Sequence, residues 1–71
     1  MKEVYEGWIM GDPKREEKLR DLGVTILEGP DLNNAGLAVW TCEVPVKVME
    51  KLDSYWGVFV WHLTLKEAED D

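Results

Sequence analysis

The sequence predicts a small α+β protein in which a strand–helix–strand unit occurs twice within 71 residues. Each half begins with an apolar alternating run, passes a proline that can open a helix, and ends in a β-branched segment led by Gly-Val. The paired features are residues 4–10 and 37–44, Pro13 and Pro45, and Gly23-Val24 and Gly57-Val58. A unit of this size cannot bury its apolar face alone. The two halves are therefore expected to pack against each other as one domain.

The first half gives clear signals for a strand and a helix. Residues 3–10 are apolar in both alternating sets, which is typical of a strand in the middle of a sheet. Asp12 then offers an N-cap side chain, and Pro13 suits the first position of a helix. The pattern predicts a helix over 13–22 that Gly23 ends.

The remaining elements follow from turn residues and alternation. Residues 24–28 are a short β-branched run, and the turn-rich segment 29–36 after them predicts a long exposed loop. Further strands are predicted over 37–44 and 57–66, separated by a second helix that Pro45 opens. This helix should carry most of the packing against the sheet, because its apolar stripe is the richer one. The stripe consists of Val48, Leu52 and Tyr55, flanked by Met49 and Trp56.

The element order predicts a ferredoxin-like split β-α-β-β-α-β fold. In that fold a four-stranded antiparallel sheet has the spatial order 4-1-3-2, and both helices cover one face. Residues 1–66 form the expected domain, and 67–71 form an acidic tail that is expected to be disordered. The fourth strand is unusual for an edge, because it is long, lacks proline and is apolar on both faces. This profile indicates that something covers it.

The charge of the chain limits the classes of partner. Fifteen acidic and eight basic residues give a net charge of −7, so direct binding to nucleic acid or to an anionic membrane is not expected. A basic protein partner fits this charge, although ordinary solubility explains the same charge. A single cysteine, Cys42, and the lack of a signal peptide favour a cytoplasmic location.

The sequence contains no recognisable catalytic or cofactor-binding constellation. His62 is the only histidine, and Cys42 stands alone on a predicted strand without a second thiol at metal-ligand spacing. No glycine-rich phosphate loop is present. We therefore expect no metal and no cofactor, and the sequence favours a non-enzymatic role.

The function that fits best is a protein-interaction or regulatory module. In a sharper form it is a small inhibitor, such as a phage-type antagonist, whose carboxylates imitate phosphates in the nucleic-acid groove of a basic partner. Self-association through the open sheet face or the edge of the fourth strand would form a homodimer. The expected partner-binding residues are Glu16, Glu17, Asp21, Asp31, Trp8 and Trp61.

A second hypothesis is a small-ligand-binding domain or a cofactor-free enzyme that dimerises sheet to sheet. Its site would place His62 in a pocket lined by aromatic side chains, with Trp40 and Tyr5 beside it. The orientation of His62 separates the two hypotheses. An enclosed His62 next to Tyr5 or Trp40 favours the pocket, whereas an exposed His62 argues against it.

Overall fold

The computed structural model describes the backbone of residues 2–68 and the side chains of residues 3–66. Its elements follow the predicted strand–helix–strand–strand–helix–strand order, so the α+β class is confirmed. The elements are β1 (Lys2–Gly11), a 3-10 turn (Pro13–Arg15), α1 (Glu16–Leu22), β2 (Thr25–Leu32), β3 (Ala38–Pro45), α2 (Val46–Asp53) and β4 (Phe59–Ala68).

The four strands form one antiparallel sheet in the order β2-β3-β1-β4. The two strands predicted to be interior, β1 and β3, are the central pair. Each of them is hydrogen-bonded to a strand on either side, so neither has a free edge. The edges are β2 and β4, as expected.

Asp12 and Pro13 mark the start of the first helical segment, as the sequence predicts. The Asp12 side chain accepts a hydrogen bond from the Lys14 amide at 2.9 Å, which satisfies one of the free amides at a helix start. The predicted single helix over 13–22 begins instead as a 3-10 turn, and α-helical geometry starts at Glu16. Gly23 ends the helix with φ 105°, a conformation that glycine adopts without strain.

The second helix ends earlier than its apolar stripe suggests. It closes at Asp53, because the Ser54 hydroxyl and amide both hydrogen-bond to the Lys51 carbonyl. Tyr55 therefore lies in a turn, where its carbonyl accepts from the amides of Val58 and Phe59. Because of these bonds, β4 begins at residue 59 and not at the predicted residue 57.

The second strand is longer than predicted. It runs over Thr25–Leu32 and includes Gly29-Pro30, which the sequence assigned to a loop. Two irregularities interrupt its pairing with β3. An edge strand tolerates proline and such bulges, because one side of it has no ladder to maintain. The true turn is short, and Asn33 closes it by accepting from the amides of Ala35 and Leu37.

The fourth strand also extends beyond its predicted end. It pairs with β1 through Ala68, two residues past the expected domain boundary at residue 66. The rest of the expected tail, 69–71, lies outside the described residues.

The core lies against one face of the sheet and draws on both helices. Its central side chain is Trp40 of β3, which is fully buried. The buried residues are Ile9, Leu19, Val24, Ala38, Trp40, Cys42, Val44, Val48, Leu52 and Phe59. The opposite face of the sheet, called the open face below, contains the other alternating set. Trp8, Thr41 and His62 are exposed there.

Candidate interaction surfaces

Trp8 and Trp61 lie on opposite faces of the sheet. In the ladder between β1 and β4, Trp8 is opposite His62, and Ile9 is opposite Trp61. Because side chains alternate along a strand, Trp61 shares the core face with Ile9, while Trp8 is on the open face. These two predicted partner-binding residues therefore do not share one face of the sheet. Trp61 is partly buried and contacts Trp56 edge-on, with ring centroids 4.9 Å apart.

The three residues of the predicted ligand site do not come together. His62 is exposed on the open face, where it stacks on Trp8 with ring centroids 6.1 Å apart. Trp40 and Tyr5 belong to the core face, and Trp40 is fully buried. The sheet itself separates His62 from both of them. A pocket that combines His62 with Tyr5 or Trp40 is therefore absent, which removes the geometric basis of the ligand-binding hypothesis.

Glu16 is part of the fold rather than a free surface acid. Its carboxylate accepts a hydrogen bond from the indole Nε1 of buried Trp40 at 3.0 Å. It also pairs with Arg20 one turn along α1 at 3.3 Å. The Trp40 hydrogen bond lowers the pKa of Glu16 below its ordinary value, desolvation opposes this effect, and Arg20 adds to the lowering. A partner that binds Glu16, one of the predicted docking residues, would have to compete with these contacts.

Acid should weaken the contact between Glu16 and Trp40. A carboxyl whose pKa is lowered by folding stabilises the protein above its unfolded-state pKa, and this contribution disappears as the pH falls through the folded-state pKa. Stability should therefore drop below about pH 4.5, the ordinary value. Glu16→Gln keeps an oxygen acceptor for Trp40 without a titrating group, so its stability should fall less over the same range. Urea midpoints measured between about pH 2 and pH 6 test this difference, and identical slopes for the two proteins would contradict it.

The other acids of α1 are exposed but are balanced by nearby bases. Glu17 and Asp21 are both exposed. The segment 12–21, however, contains four acidic and four basic residues. The surface of α1 thus has no net charge, which weakens the expectation that it attracts a basic partner.

The unbalanced acids within the described side chains lie on the β2–β3 hairpin. No lysine or arginine occurs between Arg20 and Lys47, and beyond the end of α1 this interval contains three acids: Glu28, Asp31 and Glu43. Glu28 and Asp31 are exposed on the edge strand β2, and Glu43 is partly buried on β3. Asp31 is among the residues predicted from the sequence to bind a partner, and Glu28, three residues before it on the same strand, is not. The long interval without a basic residue was the sequence signal that would have identified both.

The opposite edge of the sheet has no charge along most of its length. Residues 54–65 contain no lysine, arginine, aspartate or glutamate. Several large apolar side chains are nevertheless exposed there: Trp56 at 66%, Leu65 at 48%, Val60 at 44% and Val58 at 41%. The sheet therefore has an acidic edge at β2 and an uncharged apolar edge at β4.

The single thiol of the chain, that of Cys42, lies in the hydrophobic core. Cys42 is fully buried, and burial raises the pKa of its thiol to about 12, so at neutral pH it is protonated and not nucleophilic. Among the described residues, no three His, Cys, Asp or Glu side chains are placed to hold a metal ion. Over the same part of the chain, no helix is long and apolar enough to cross a membrane.

The fold and its surfaces define a small α+β protein with two contrasting sheet edges. Comparison with protein-family models finds no match to this chain, and searches of curated proteins and of solved structures find no match either.

Proposed function

We propose that the protein is a small acidic, non-enzymatic interaction or regulatory module that docks a basic protein surface through its β2 edge. The observation that supports this proposal is the unbalanced pair Glu28 and Asp31, exposed on an edge strand in a chain of net charge −7. Charge that its neighbours do not neutralise projects a field into solvent and accelerates encounter with a partner of opposite sign.

We also propose that the architecture is ferredoxin-like. Read from the other edge, the order β2-β3-β1-β4 is 4-1-3-2. The core cluster supports both helices on one face, since it joins Leu19 of α1 and Leu52 of α2 to Trp40 of β3. This arrangement matters for function because it leaves the β2 edge and the open face accessible.

A sharper form of the proposal is an inhibitor of a nucleic-acid-binding protein, of the phage-type antagonist class. A groove that binds phosphates presents lysine and arginine side chains, and carboxylates on a rigid strand are suitable ligands for them. Nucleic acid and the inhibitor would then compete for one site. A module that binds elsewhere on a basic partner would not show this competition.

The test asks whether binding depends on the position of the acidic residues or only on the net charge of the protein. Two double variants, Glu28→Lys/Asp31→Lys and Glu17→Lys/Asp21→Lys, both change the net charge from −7 to −3. The first alters the β2 edge and the second alters α1, and all four side chains are exposed. The wild-type protein is used to isolate a partner from the source cell. The partner is then identified, purified and titrated with each variant at about 50 mM and about 300 mM salt.

We expect a basic partner whose binding weakens with salt and is largely lost with the β2 variant, while the α1 variant retains most of it. Equal losses in the two variants would mean that only total charge matters, and a loss confined to the α1 variant would place the docking site on the helix. Either result contradicts docking through β2. Displacement of bound nucleic acid would support the inhibitor form, and a ternary complex would exclude it.

A further inference from the structure

The two edges of the sheet differ in how they resist pairing with another strand. An exposed edge offers free backbone amides and carbonyls, and natural proteins block it with charge, proline or bulges. All three occur on β2, where Glu28 and Asp31 flank Pro30 and two irregularities interrupt the ladder. This edge is protected against strand addition.

Residues 59–65 of β4 have none of these three features. Its pairing with β1 continues without irregularity from Gly11 opposite Phe59 to Lys2 opposite Ala68. Residues 59–65 contain neither proline nor a charged side chain. Lys66, the next residue, is paired with Glu6 of β1 at 3.4 Å. Among the described residues, β4 has β1 as its only neighbouring strand, and its outer edge is free beyond Phe59, which is bridged to the turn before the strand.

The side chains beside this edge are apolar on both faces of the sheet. Leu65 is exposed on the core face, Val60 is exposed on the open face, and Val58 is exposed in the turn before the strand. Trp56 extends the surface from the turn before β4 and rests against Trp61. Apolar surface next to free backbone groups is the combination that an added strand covers.

We propose that β4 pairs with β4 of a second copy of this chain, in antiparallel orientation about a twofold axis, to form a continuous eight-stranded sheet. An antiparallel twofold pairing places this strand opposite itself, so the interface must be self-complementary. The strand meets that requirement, because an axis at Leu63 places Leu63 opposite its own copy and Trp61 opposite Leu65 of the second copy, all on one face of the sheet. No like charges are opposed over residues 59–65.

The expected interface is small but sufficient for a reversible dimer. Eight paired residues span about 26 Å at about 3.3 Å per residue, and the side-chain layers on the two faces give a depth of about 20 Å. Each copy would then bury about 500 Å², or about 1,000 Å² in total, which is the lower limit for a specific interface. A dissociation constant in the micromolar range is expected.

The proposed dimer and the proposed docking function are expected to respond to salt concentration in opposite ways. Two copies that each have a net charge of −7 repel each other, so screening should strengthen the dimer. Docking to a basic partner should instead weaken with salt. The dimer can therefore fail while the docking function holds, and the reverse is also possible.

The experiment uses the full chain in sedimentation equilibrium from about 5 µM to about 1 mM, at low and high salt. The test variant is Leu65→Lys, and the matched control is Leu27→Lys. These leucines are 48% and 47% exposed and lie on opposite edge strands. Trp8→Lys tests the open face in the same way. Circular dichroism establishes that each variant folds.

We expect a monomer–dimer equilibrium that shifts toward dimer at high salt. Leu65→Lys should raise the dissociation constant at least tenfold, and the other two variants should change it less than threefold. A monomer throughout the range would overturn the proposal, as would a dimer that only Leu27→Lys or Trp8→Lys disrupts.

If Leu65→Lys does not fold, hydrogen exchange of the wild-type protein tests the proposed dimer instead. Amides of β4 should gain protection as concentration rises, and an unchanged pattern would overturn the proposal.

Discussion

Replacing Trp40 with alanine should remove a large part of the free energy of unfolding of this domain. The indole is fully buried, contacts Phe59 edge-on at 6.5 Å between ring centroids, and donates its N–H to Glu16 of α1. A buried tryptophan truncated to alanine costs about 3 to 5 kcal/mol. A domain of this length is stable by only about 4 to 10 kcal/mol. Urea titration followed by far-ultraviolet circular dichroism measures the loss.

Trp56→Ala is the matched control for Trp40→Ala. Trp56 is 66% exposed and packs mainly against Trp61, so its removal should cost about 1 kcal/mol. Equal losses for the two variants would show that Trp40 does not anchor the core.

Gly7→Ala should separate β1 from β4. A Cβ at position 7 would collide with the main-chain carbonyl of His62 on the neighbouring strand. A backbone carbonyl within a continuous ladder cannot move aside as a flexible side chain can. We expect a loss of about 3 kcal/mol, at the upper end of overpacking effects. Hydrogen exchange should show that amides between β1 and β4 lose protection, while those between β2 and β3 keep theirs.

The control for Gly7→Ala is Gly57→Ala. Gly57 has φ 97° with no atom close to an added Cβ, so alanine there is strained only in its own backbone, by about 1 to 2 kcal/mol. Protection should then fall in the turn before β4 and not along the ladder. A similar pattern in both variants would contradict steric separation of the strands.

The order of the elements was predictable because the signals for it are local. Asp12 and Pro13 mark the start of the first helical segment, and Gly23 ends it. Apolar character on both alternating sets is typical of the central strands β1 and β3, but β4 has it too and lies at an edge. The extent of β2 was not predictable from local rules. Gly29-Pro30 is a turn signal in most contexts, and only the position of β2 at a sheet edge allows it to remain within a strand.

The candidate surfaces depended on information that alternation alone does not contain. Alternation showed that Trp8 and Trp61 each point to one side of a strand, but the register of β1 against β4 decides whether those sides coincide. The role of Glu16 was equally hidden, because its partner Trp40 is 24 residues away. The acidic edge at β2, in contrast, could have been predicted from the sequence, because no lysine or arginine occurs between Arg20 and Lys47.

The opposite placement of the two edges has a consequence for valency. Neighbouring strands are about 4.8 Å apart, so in an eight-stranded dimer the two β2 edges would lie about 34 Å from each other. Each dimer would then present two acidic edges, facing outward at its ends. A basic target with two sites at that spacing, or a target that is itself twofold symmetric, would be held with an avidity beyond that of one edge. A single weak contact would thereby become a selective one, because only targets with the matching separation engage both ends.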